Sequence, residues 1–196
     1  TADSSTPSPK GINAGVSYTQ DSGKVTVNAA DEGLQAPFVN VSGGELSIAA
    51  GDDGINASGS ITFEAVLAAA AESGSDSTTT DTATTQQMGP GGMADGGGSM
   101  EDTGEQLTIT GGTVTVNANG DGLDSNGSLT ISGGTTTVYG PASGANGALD
   151  RNGAMSITGG TVIAFATNEM VETPTTTDGQ GWVSAAATGS AGSTVT

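Results

Sequence analysis

The chain contains no cysteine and no histidine, and only Lys10, Lys24 and Arg151 carry positive charge. Each absence removes a class of chemistry. Without cysteine there is no disulfide scaffold, zinc finger or thiol nucleophile. Without histidine there is no Ser-His or Cys-His catalytic pair. Three basic residues against 21 acidic ones, a formal net charge of −18, supply no basic face for phosphate neutralisation, which excludes nucleic acid as a partner. Aromatic residues make up 3% of the 196, so platforms for stacking against bases or sugars are scarce. No apolar run approaches the roughly 20 residues that a membrane-spanning helix requires.

What abounds is glycine, at 34 residues, together with serine and threonine. A hydrophobic content of 33% is thin for a globular core of this length. Such a chain folds only around a narrow, repetitive core, and repeats are indeed present. An acidic turn, a short strand, a Gly-Gly turn and a second short strand recur in that order, most clearly from Asp121 to Val138. The Gly-Gly turn falls at Gly43-Gly44, Gly111-Gly112, Gly133-Gly134 and Gly159-Gly160, with Ser22-Gly23 as a degenerate copy. Counted on the second glycine, the steps are 21 residues from Gly23 to Gly44, 22 from Gly112 to Gly134 and 26 from Gly134 to Gly160.

Stacking the copies puts apolar residues into columns. After the Gly-Gly turn come Val25, Leu46, Val114, Thr136 and Val162, and two residues later Val27, Ile48, Val116, Val138 and Ala164. Before the turn stand Val39, Ile61, Leu107, Leu129 and Met155, then Val41, Phe63, Ile109, Ile131 and Ile157. Beside the acidic turn stand Ile12, Leu34, Ile55, Leu123 and Leu149. Apolar residues two apart within a strand share one face. Three short strands per repeat, each with one face inward, describe a three-sided solenoid of about 22 residues per coil, a parallel β-helix whose coils stack at about 4.8 Å.

The interval from Ile61 to Leu107 is one coil too long. Its surplus, a Ser/Thr tract followed by a Gly/Met-rich stretch at 72–104, reads as a flexible insertion. Ala65–Ala71 is compatible with a short helix or with the next strand. Residues 1–9 read as a disordered leader, 10–170 as the β-helix, and 171–196 as a tail or the start of a further C-terminal region. An uncapped β-helix end exposes unpaired backbone, which favours self-assembly through the ends or through tail strands.

The candidate chemistry lies at the acidic corner. Asp31-Glu32-Gly33, Asp52-Asp53-Gly54 and Gly120-Asp121-Gly122 align, which puts Glu32, Asp53 and Asp121 in one column; Gln35, Asn56 and Asp124, with Asp150 nearby, form the next. Stacked carboxylates repel at a spacing of about 5 Å. A hard divalent cation reverses that sign, and carboxylates, Asn side chains and turn carbonyls are the oxygen ligands calcium takes. The alternative is that Asp-Gly and Asn-Gly are turn formers whose side chains bond nearby backbone. That alternative explains single acids better than the doubled Asp31-Glu32 and Asp52-Asp53.

Asp53-Gly-Ile-Asn-Ala-Ser58, Leu107-Thr-Ile-Thr-Gly-Gly-Thr-Val-Thr-Val-Asn117, Gly120-Asp-Gly-Leu-Asp-Ser-Asn126 and Gly147-Ala-Leu-Asp150 resemble the clostridial-type carbohydrate-binding β-helix domain proteins. Those are extracellular, polysaccharide-lyase-like right-handed β-helices that bind calcium and are associated with adhesion to cellulose and acidic plant-wall sugars. The resemblance covers roughly residues 10–170. It implies a right-handed coil and Ca2+ at Asp31, Glu32, Asp52, Asp53, Asp121, Asp124 and Asp150, to which the column pattern adds Asn56.

The expected function is therefore that of a non-catalytic, calcium-binding module at the cell surface or outside the cell, for adhesion and polysaccharide binding. The principal alternative is a structural subunit of a calcium-dependent matrix or adhesive fibre. A polysaccharide lyase is more remote, because its proton-abstracting base would have to be Lys10, Lys24 or Arg151. Ice binding by threonine rows is disfavoured, because Thr113, Thr135 and Thr161 stack but the rows break at Lys24, Glu45, Ser47 and Ile163.

Overall fold

A computed structural model describes residues 8–59, 101–142 and 144–188. Among these residues every regular element is a β-strand, and every strand pairing is parallel. Helices are absent there because the apolar positions recur every second residue, which serves a half-buried strand. The first repeat supplies β1 (Ile12–Asn13), β2 (Ser17–Gln20) and β3 (Lys24–Ala29), and the second β4 (Leu34–Gln35), β5 (Phe38–Val41) and β6 (Glu45–Ala50). The third supplies β7 (Ile55–Ala57), β8 (Gln106–Ile109) and β9 (Thr113–Ala118). β10 (Leu123–Ser125), β11 (Ser128–Tyr139) and β12 (Met155–Phe165) complete the set.

The strands form a four-stranded sheet, β1-β4-β7-β10, and an eight-stranded sheet ordered β2-β5-β8-β11-β9-β6-β3, with β12 beside β11. The expected three separate sides are not what these pairings describe. β11 is long enough to pair with β8 through Ser128–Ile131 and with β9 through Thr135–Tyr139. Two strand sets therefore join into one curled sheet, and no sheet closes on itself. The physical reason lies at Gly133-Gly134. The strand continues past this corner, where the register shifts and neither glycine has a Cα partner, and the second glycine takes φ 77°. Gly23, Gly44, Gly112 and Gly160 hold the same left-handed conformation, φ 76–80°, which side chains other than hydrogen rarely tolerate.

The apolar columns form with the expected registers. Ile12, Leu34, Ile55, Leu123 and Leu149 are successive Cα partners. So are Val25, Leu46, Val114, Thr136 and Val162, and Val27, Ile48, Val116, Val138 and Ala164. One column differs. Val39 and Val41 pair directly with Leu107 and Ile109, while Ile61 and Phe63, expected in the same columns, lie outside the described residues. The expected insertion at 72–104, with the Ala65–Ala71 segment, falls outside them too, apart from its last residues.

A single core runs along the stack. Leu34, Ile55, Leu107, Leu123, Leu129 and Ile131 have no solvent exposure, and each such side chain contributes roughly 1.5–3 kcal/mol on burial. Toward β12 the core thins: Val162 is only partly buried and Ala164 is exposed. Past Ser156, which bridges to Thr176, no described strand pairs with the outer side of β12.

Candidate functional site

The acidic corner is built by the turns that precede β4, β7 and β10. Backbone bonds tie each turn to the next: Gly33 N–H donates to Asp53 O (2.8 Å), Gly54 N–H to Asp121 O (2.8 Å) and Gly122 N–H to Gly147 O (3.0 Å). The carboxylates add a second ladder. Asp121 N–H donates to Asp53 Oδ1 at 2.7 Å, and Gly147 N–H donates to Asp121 Oδ1 at 2.5 Å. Asp53 and Asp121 thus each cap the turn of the following repeat, a contact between stacked turns rather than within one.

The predicted residues separate into two groups. Asp53, Asn56, Asp121 and Asp124 come together, and Asp150 acts on Asp121 and Asp124 electrostatically. Asp124 stands opposite Asn56, which stands opposite Gln35. Asn56 is buried; its Nδ2 donates to Asp53 Oδ2 at 3.0 Å, while its Oδ1 has no hydrogen-bond partner. Asp31 and Glu32 are engaged elsewhere: Lys10 forms an ion pair with Glu32 and lies 3.8 Å from Asp31, which also accepts a hydrogen bond from Ser8. Asp52 is exposed beside this cluster, and Asp150 Oδ1 accepts the backbone N–H of Arg151 at 2.8 Å. Arg151 itself turns to Glu172, at 3.3 Å.

Burial is the main electrostatic fact of the cluster. It pushes the Asp124 carboxyl up to about 8, and the charges of Asp53, Asp121 and Asp150 push the same way. Asp121 is raised to about 7, again chiefly by burial, with Asp150, Asp53 and Asp52 adding to it against the Gly147 hydrogen bond. Asp53 is raised by burial, which outweighs the Asp121 and Asn56 hydrogen bonds. No basic side chain contributes to any of these shifts. Among the described residues no three acidic or other ligating side chains already converge as a metal cage. The arrangement therefore concentrates negative charge and oxygen donors at the corner without gathering them around one point.

A second feature lies where the chain leaves β11 and β12. Tyr139 and Phe165 are register partners, 48% and 47% exposed, with ring centroids 5.5 Å apart and planes 14° from parallel. With Gly140, Pro141, Ala142, Ala166 and Thr167 they line an open recess of about 310 Å³. In the sequence Tyr139, close to Pro141, reads first as a turn-packing residue, and Phe165 belongs to none of the inward columns. The signal was available, because Tyr139 and Phe165 stand as far apart as Gly134 and Gly160 and both immediately follow a core column.

No curated protein and no solved structure matches the chain. The sequence model of one protein family, described as Carbohydrate-binding domain-containing protein, matches residues 1–54 and, overlapping, 37–147. Those matches cover most of the chain, including the acidic corner and Tyr139, and the chain belongs to that carbohydrate-binding domain family.

Proposed function

We propose that this chain is a non-catalytic module that binds polysaccharide at the cell surface or outside the cell, folded as a right-handed parallel β-helix whose acidic corner takes up Ca2+. Family membership supports the polysaccharide. The repeated order of strands, with like residues stacked on like in parallel register, supports the β-helix.

The observation that carries the calcium reading is the cluster of Asp53, Asp121 and Asp124, each partly buried, with no cation among the groups acting on them. Its donors are all oxygens, and the unpartnered Asn56 Oδ1 is the buried polar atom that such an ion would satisfy. In donor type these four residues suit a hard cation, and Asp150 and Asp52 act on them electrostatically. Asp31 and Glu32, which share the single ammonium of Lys10, fit it less well. When bound, calcium supplies charge neutralisation and cross-links successive turns. An anionic protein holds an acidic sugar only through a bridging cation, so the same ion serves an acidic ligand. The test is electrophoretic retardation of the protein in gels containing cellulose derivatives, xylan or polygalacturonate, with calcium or with EDTA. Retardation by at least one of these polysaccharides is expected; migration unchanged in all of them would refute the function.

One observation favours a second reading, a subunit of an adhesive or matrix fibre. The second half of β12, from Gly160 to Phe165, pairs on one side only among the described residues, and such an edge is a template for another strand. Calcium-dependent polymer that pellets on centrifugation, from protein that binds no sugar, would favour it. For the lyase alternative, Arg151 as proton-abstracting base would first have to leave Glu172. Unsaturated product from polygalacturonate is not expected.

A further inference from the structure

We infer that the Tyr139–Phe165 pair is a sugar-stacking shelf for an uncharged, pyranose-based polysaccharide. The inference rests on the carbohydrate-binding reading above and gives that reading a location. Exposed aromatic surface is costly in a chain with three Phe, two Tyr and one Trp, yet two of those six rings stand half-exposed at one place. Their near-parallel planes, 14° apart at 5.5 Å, are held by the register of two adjacent strands and by the Gly140 N–H to Phe165 O bond of 2.8 Å. The shelf is therefore rigid before any ligand arrives, which lowers the ordering cost of binding.

The geometry suits a sugar ring. Tyr139 stacks on one face of Phe165, which stays half-exposed. An aromatic face is the negative pole of the ring quadrupole, and the C–H face of a pyranose carries the complementary partial positive charge. A pyranose laid on Phe165 continues the stack by one layer. The recess is lined by Tyr139, whose hydroxyl suits a sugar hydroxyl. Charge decides between sugar classes. The recess has no charged residue in its lining, and the chain around it carries a net −18. A uronate carboxylate would find no partner at this shelf, whereas a neutral glucan or xylan loses nothing there.

The test uses the whole chain with calcium held constant. Dissociation constants for a soluble β-glucan, xylan and polygalacturonate are measured by affinity electrophoresis for the wild type, Phe165→Ala, Tyr139→Ala, Phe165→Trp and Ile163→Ala, with thermal melts to verify folding. The neutral glycans are expected to bind the wild type, Phe165→Ala to weaken them about tenfold or more, and Phe165→Trp to retain binding. Ile163→Ala, exposed on the same strand, is expected to change nothing. Wild-type binding left unaltered by Phe165→Ala and Tyr139→Ala would overturn the shelf while the carbohydrate reading stands. Binding of polygalacturonate alone would overturn the neutral class. No binding of any glycan by the wild type would overturn the carbohydrate reading, and the shelf with it. Sugar-free self-association that Phe165→Ala abolishes would reassign the surface to a contact between copies of this chain, and so overturn the shelf.

Discussion

Replacing Asp124 by Asn should make the metal-free protein more stable at alkaline pH and less stable once calcium is added. In the folded state burial raises the Asp124 carboxyl to about 8, against about 3.9 in an unfolded chain. Between those values the native state holds a proton that the unfolded state has released. Stability therefore falls as pH rises from about 4 toward 8, and levels off on either side. A difference of one pKa unit corresponds to about 1.4 kcal/mol, which sets an upper bound of roughly 6 kcal/mol for this carboxyl. Water that enters the corner on ionisation reduces that, and a loss of about 2–3 kcal/mol between pH 5 and pH 9 is the expectation. The Asn variant keeps the shape of the side chain and removes the ionisation, so its profile should be flatter by a comparable amount. Urea unfolding of both proteins in EDTA at the two pH values measures this directly. In millimolar calcium at pH 8 the order should invert, because the wild type regains a ligand that the variant lacks. A wild-type profile that is flat in EDTA, or a variant with the same slope, would refute the electrostatic reasoning.

The remaining expectations concern the stack itself. Gly134→Ala should destabilise by about 3 kcal/mol or more, since its Cβ would lie 2.6 Å from Gly112 O and the φ is 77°. Gly23→Ala, at φ 79° with nothing within 4 Å of the new Cβ, should cost only about 1 kcal/mol; equal losses in chemical denaturation would argue against close stacking at the corner. Leu107→Ala, from a side chain with no exposure, should cost about 2–5 kcal/mol, and a loss below 1 kcal/mol would show that the Val39–Leu107–Leu129 column is not packed as described.

The inward positions were legible in the sequence because strand alternation and ladder stacking both act on single columns. Val27, Ile48, Val116 and Val138 announce themselves by hydrophobicity and spacing alone. How the sides join was not legible. Whether Gly133-Gly134 breaks a strand or bends it depends on hydrogen bonds to the neighbouring repeat, which composition does not encode. The direct pairing of β5 with β8 was not legible either, because nonlocal pairing rather than local similarity selects the neighbour. At the acidic corner the column of Asp53 and Asp121 was visible, as was that of Asn56 and Asp124. The engagement of Asp31 and Glu32 by Lys10 was not, since it depends on how the first turn folds back. Phe165 escaped notice because attention to inward columns leaves outward neighbours uncounted.

The most direct measurement is a calorimetric titration of the metal-free protein with Ca2+ at pH 8, repeated with Mg2+ and with Asp121→Asn. Saturable calcium binding that releases protons, is absent or much weaker with magnesium, and is lost in Asp121→Asn is the predicted result. Proton release is required because Asp121 and Asp124 are raised to about 7 and about 8 in the free protein, and a cation binds their ionised forms. No heat and no proton release up to millimolar calcium would contradict the metal site and leave these aspartates as turn caps.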